Sequence, residues 1–141
     1  MTMELAGQVA LVTGAGRGIG AAIARELALA GCDVALVDVA ASAGVDGVAN
    51  AIRAMGRRAR VLGADVSSVA AAAECVATTV RDLGRLDVLV CNAGITRDAV
   101  IWKMTEEAWD AVLDVNLKGC FTYCRAAAPV LRRYLPDAAG R

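Results

Sequence analysis

Short apolar runs alternate with longer stretches of helical period along this chain. Gln8–Thr13, Asp33–Val37, Ala59–Leu62 and Leu86–Cys91 carry the aliphatic and β-branched residues of strands. Between them, Gly18–Ala30 and Val45–Met55 repeat apolar residues at helical spacing, and so does a stretch that Ser67 or Ser68 can cap and that runs to Leu83. A glycine follows each stretch (Gly31, Gly56, Gly84), as expected where a helix must stop. Thr105 opens a last helical region, with Glu106 and Glu107 placed at the positive end of its dipole. It is expected to bend near Asn116–Gly119 and to continue to about Tyr134, with Pro136 and Gly140 closing the chain.

This strand–helix alternation predicts an α/β fold, a Rossmann-type doubly wound parallel sheet with strands in the order 3-2-1-4 and helices on both faces. Leu86–Cys91 is almost uniformly apolar, as suits a strand covered on both faces. The predicted order nevertheless puts it at the edge of the sheet, where an unpaired strand invites pairing. The fold therefore reads as a doubly wound sheet cut short after its fourth strand and the helix that follows. All 141 residues are expected to form one domain.

Composition narrows the classes. Fifteen basic and fifteen acidic residues give zero net charge, which argues against a nucleic-acid partner. Hydrophobic residues make up 57% of the chain, and the mean hydropathy is +0.52. Charges still interrupt every run before the ~18 apolar residues of a membrane span. Met1-Thr2-Met3-Glu4 lacks the features of a signal peptide, so a cytoplasmic protein is expected. Five cysteines without CxxC spacing read as buried small hydrophobes in a reducing compartment. With no histidine in the chain, no metal site and no histidine-based nucleophile is expected.

Candidate chemistry begins at Thr13-Gly14-Ala15-Gly16-Arg17-Gly18-Ile19-Gly20, between the first strand and the first helix. Glycines permit a tight turn and a close approach of backbone to a pyrophosphate, and the helix N-terminus offers free N–H groups and partial positive charge. Asp38 ends the second strand, 18 residues beyond Gly20, close to the ~20 expected for an acid that accepts bonds from the adenosine ribose hydroxyls. A carboxylate there repels a 2′-phosphate, and Val39 follows it rather than a basic residue. One charged hydrogen bond is worth ~1.5–3 kcal/mol, a preference of roughly tenfold or more, so NAD(H) is favoured over NADP(H). Arg17 is the one loop residue that could still reach a 2′-phosphate.

The octet Thr13–Gly20 resembles the TGxxxGIG signature of the short-chain dehydrogenases/reductases. Three further elements are similar to that family, in order: Asp65-Val66, like its adenine-contacting pair; Asn92-Ala93-Gly94, like its NAG motif; and Asn116, like its catalytic asparagine. Within the family, Asn92–Asp98 and Lys103-Met104-Thr105 resemble 3-oxoacyl-(acyl-carrier-protein) reductases and acetoacetyl-CoA reductases. Each position also has a plain structural reading. Asp65 can cap a turn, Asn92 and Gly94 can serve a loop, and Asn116 can be a mid-helix amide that bends its helix.

The resemblance implies an oxidoreductase that moves a hydride between nicotinamide and a carbonyl or hydroxyl carbon, with a 3-oxoacyl thioester as candidate substrate. It also implies a homo-oligomer for the full-length form. The family's serine and Tyr-x-x-x-Lys are not found here. Tyr123 is followed at i+4 by Ala127 and Tyr134 by Ala138, and Gly140-Arg141 resembles the lead into the strand that would carry the serine. The alternative reading is a nucleotide-binding module without chemistry, or a fragment that acts through its exposed edge. Trp102 and Trp109 are expected to cover helix and loop surfaces, Cys120 and Cys124 to pack in the core, and Arg132-Arg133 to end a helix in solvent. Leu117, Phe121 and Val130 lie on the helix that relatives use to dimerise.

Overall fold

A computed structural model describes residues 3–39 and 44–134. Its strands are β1 (Val9–Thr13), β2 (Asp33–Asp38), β3 (Ala59–Gly63) and β4 (Val88–Val90). Its helices are α1 (Gly18–Leu29), α2 (Val45–Ala54), α3 (Val69–Leu83), α4 (Glu106–Leu113) and α5 (Gly119–Leu131). All strand pairs are parallel and the order is β3-β2-β1-β4, as predicted. Pro136 and Gly140-Arg141 lie outside the described residues.

Alternation along β1 builds two cores at once, because successive side chains of a strand point to opposite faces. Ala10 and Val12 join Val34, Leu36, Val48 and Ile52 beneath α1 and α2. Val9 and Leu11 join Ala35, Val37, Val76, Leu86 and Tyr123 beneath α3 and α5. Every β1 side chain is buried, which is why its sequence shows no polar face. Full burial of a side chain such as Leu36 or Ile52 contributes about 1.5–3 kcal/mol.

Local signals end the elements as expected. Ser68, rather than Ser67, accepts the Ala71 N–H at the start of α3, and Gly84 stops that helix at φ 94°. Thr105 accepts from Ala108 at the start of α4. The bend expected near Asn116–Gly119 takes the form of one π-helical turn, Asp114–Lys118, between α4 and α5. Such turns are frequent at functional sites.

Three expectations fail in the region after β3. The fourth strand is three residues long rather than six, and its residues are half-buried rather than enclosed. It pairs only with β1, so nothing among the described residues extends its ladder or covers its outer side. Trp102 stays 80% exposed and covers little, whereas Trp109, 53% exposed, lies over a shallow cavity with Arg97, Met104 and Leu113. Cys120 and Cys124 do not enter the core. Both are exposed, because Thr122, Tyr123 and Ala127 form the buried stripe of α5 and these cysteines fall to its side. Cys32 and Cys75 are buried as expected, whereas Cys91 is exposed. No described helix is long and apolar enough to cross a membrane.

Candidate dinucleotide cleft

Parallel strands deliver their C-terminal ends to one side of the sheet, so the turns after β1, β2, β3 and β4 meet there. They surround a cavity of about 530 Å³. Its walls include Gly14, Arg17, Gly18 and Ile19 from the first turn and Asp38 and Val39 from the second. Asp65 and Val66 come from the third, and Asn92, Ala93 and Gly94 from the fourth. Of the sequence-selected positions, Thr13, Gly20 and Asn116 are not in the lining; each supports it from behind.

The floor is a set of bonds between residues nearly 80 positions apart. The Thr13 hydroxyl accepts the backbone N–H groups of Asn92 (3.0 Å) and Ala93 (3.1 Å). The Asn92 side-chain amide donates to the carbonyls of Thr13 and Gly14, both at 3.2 Å. Thr13 is 2% exposed, so its hydroxyl is committed to this tie. The closeness explains two glycines. A Cβ on Gly14 would lie 2.9 Å from the Ala93 Cα, and the residue sits at φ 65°. A Cβ on Gly20 would strike the Gly14 carbonyl and the Asn92 amide.

Asp38 clamps the glycine turn. Its carboxylate accepts the Gly16 N–H at 2.7 Å and the Val39 N–H at 2.8 Å. Two further lone-pair directions on a carboxylate stay open for ribose hydroxyls. The bond to Gly16 was not anticipated from sequence, where that glycine read simply as part of the loop. At the helix entrance, Arg17 occupies the cap position without a side-chain cap, so the first-turn N–H groups of α1 remain available to an anion.

Asp65 takes two bonds at one oxygen, from the Ser67 N–H (2.9 Å) and the Ser67 hydroxyl (2.8 Å). Those bonds hold its carboxyl below the usual carboxylate range, with the Lys118 charge a smaller contributor. Asn116 lies on the π-helical turn. Its Oδ1 accepts the Ile95 N–H at 2.8 Å and its Nδ2 donates to the Ile95 carbonyl at 3.0 Å. This two-way pairing fixes the strand of backbone that follows Gly94. Ala64, Ile95 and Val115 also line the cavity and escaped sequence reading. Their only signal is adjacency to Asp65, Gly94 and Asn116.

The arrangement provides an anion-binding helix end, an acid beside it and an apolar-walled trough across the sheet. These are the parts that hold a dinucleotide. A family model for short chain dehydrogenase matches residues 8–139. Hydroxyacyl-CoA dehydrogenase ChsB1 of Mycobacterium tuberculosis is 44% identical over 99% of this chain and 45% of its own length. A 3-oxoacyl-(acyl-carrier-protein) reductase of Synechocystis sp. is 42% identical over 90% of this chain and 51% of its own.

Solved structures agree. A short chain dehydrogenase from Burkholderia cenocepacia, in complex with NADP, superposes with a TM-score of 0.88 at 41% identity, over 91% of this chain and 52% of that one. Carveol dehydrogenase from Mycobacterium avium, in complex with NAD, gives 0.85 at 30% identity, over 91% of this chain and 50% of that one. The chain spans about half the length of the curated relatives it matches. With a family model covering nearly all of it and a sheet of matching order, this chain belongs to the short-chain dehydrogenase family.

Proposed function

We propose that this chain is the nucleotide-holding part of an oxidoreductase that exchanges a hydride between a nicotinamide dinucleotide and a carbonyl or hydroxyl carbon. The observation that carries the reading is the Asp38–Gly16 bond, which sets a carboxylate and an uncapped helix end around one cavity. Gly14, Gly18, Ile19 and Gly20 bring backbone to the pyrophosphate, with Gly20 and Thr13 keeping the turn close to Asn92. Arg17 adds charge at the same end. Asp38 receives the adenosine ribose. Asp65 and Val66 border the adenine, and Asn92, Ala93 and Gly94 guide the chain toward the nicotinamide end. The bound nicotinamide supplies or accepts the hydride.

Asn116 is a positioning residue in this reading, holding the backbone at Ile95 rather than exchanging a proton. Neither tyrosine is followed at i+4 by lysine, so the 141 residues by themselves are expected to bind dinucleotide without reducing ketones. NAD(H) is the preferred cofactor, because Asp38 faces the ribose and the exposed Val39 offers no cation to a 2′-phosphate. A 3-oxoacyl thioester is the favoured substrate of the whole protein, consistent with the names of the two relatives above. Association of two copies through α5 and the π-helical turn before it, where Phe121 and Leu117 are exposed, is expected in the complete enzyme.

The test is a pair of titrations of this chain with NADH and NADPH, followed by nucleotide fluorescence. Tighter binding of NADH supports the proposal. Absence of binding by either sinks the nucleotide reading, and tighter NADPH binding sinks the preference.

A further inference from the structure

Folding gathers three of the five cysteines. Cys91 follows β4, and Cys120 and Cys124 lie on successive turns of α5. Their sulfurs all lie within 4.8 Å of one another. The Cys120 and Cys124 sulfurs are 3.9 Å apart, and the Cys91 sulfur is 4.0 Å from the Cys120 carbonyl oxygen. None of the three lines the dinucleotide cavity.

We propose that Cys91, Cys120 and Cys124 form a thiolate site for a soft divalent cation of the zinc group, separate from the nucleotide cleft. Sulfur ligands at ~2.3 Å around a tetrahedral centre are about 3.8 Å apart. The Cys120–Cys124 spacing of 3.9 Å is close to that value, and the Cys91 sulfur lies within 4.8 Å of both. The i, i+4 placement keeps two ligands on one side of a rigid helix, and the strand end supplies the third. Cys120 and Cys124 are exposed and Cys91 is partly covered, so the cation enters from the helix side and keeps a fourth position for water. On binding, three thiols release their protons to solvent and three metal–sulfur bonds form, with no change of oxidation state. Soft sulfur donors without histidine or a carboxylate select zinc or cadmium over magnesium or calcium.

The probe is cadmium chloride alone, added to the reduced, chelator-stripped chain. A thiolate-to-cadmium charge-transfer band should rise and break sharply at one equivalent. Its amplitude should fall by about a third in each of Cys91→Ser, Cys120→Ser and Cys124→Ser, because the band counts bound thiolates. Magnesium should not compete. No band in the unmodified chain, a break elsewhere, or an undiminished band in a single variant would overturn the site. Far-UV circular dichroism confirms that each variant is folded, and the titration of the unmodified chain decides the matter should one not be.

Discussion

The two halves of the molecule bury their apolar residues to very different extents. From β1 to α2 the apolar side chains interlock. Val12, Leu36 and Ile52 are wholly buried, and α1 and α2 cover one face of the sheet. From β4 to α5, Ile101, Trp102, Trp109, Leu117 and Phe121 all stand more than half exposed. Both halves have the same strand–helix grammar. The difference is the number of neighbours each strand has, since β1 and β2 are paired on both sides and β4 on one. Apolar sequence is thus a poor guide to burial at the edge of a sheet, where a side chain needs a second layer that the adjacent strand must bring.

The contrast can be broken by large-to-small substitution. Ile52→Ala should cost about 2–5 kcal/mol, read from the urea midpoint, because it opens a cavity in a close-packed layer. Phe121→Ala, at a half-exposed position, belongs at the other end of the scale, within about 0.5 kcal/mol. A Phe121→Ala cost equal to that of Ile52→Ala would show that the β4–α5 side is packed in solution and would erase the distinction.

The cleft lies between the halves and should answer to the interlocked one. Asp38→Ala removes the acceptor for Gly16 and Val39 and is expected to weaken NADH binding roughly tenfold or more in a fluorescence titration, from charged bonds of ~1.5–3 kcal/mol. Unchanged affinity would mean that the glycine turn holds its shape unaided.

Tyr123 gives a smaller and pH-dependent test. It is a fully buried residue of α5, and its hydroxyl lies against the Cys75 thiol of α3. Burial pushes the phenol well above its usual range, and burial likewise raises the thiol of Cys75 beside it. Both groups stay protonated in the folded chain, while the unfolded chain ionises them from about pH 8.5 for cysteine and pH 10 for tyrosine. Their contribution is therefore complete below those values and is lost as pH rises toward the folded-state values. Tyr123→Phe should leave neutral-pH stability within about 1 kcal/mol and flatten the alkaline fall in melting temperature. A steeper fall in that variant would contradict this account.

Local chemistry made the first half readable in sequence. Strand–glycine–helix order, stop glycines and the acid at position 38 are short-range signals, and each corresponds to an element or contact in the structure. Strand order is that of the doubly wound class to which the strand–helix alternation points. Residues 91–124 were harder to read, because what matters there is set by distant partners. The cysteine cluster joins a strand end to a helix 29 residues later. The pairing of Asn116 with Ile95 depends on a π-helical turn that no propensity distinguishes from an ordinary bend. The role of Thr13 in anchoring Asn92 is invisible in a motif that places it simply before the first glycine.

That anchor also bears on the order of assembly. The glycine turn is made within the first twenty residues, but the donors that brace it arrive at positions 92 and 93. During synthesis, a nascent chain that has delivered β1, β2 and β3 owns an anion-binding loop without its support. Closing a contact across almost eighty residues is slow compared with forming the helix beside it. Nucleotide affinity is therefore expected to mature late, when the fourth strand docks.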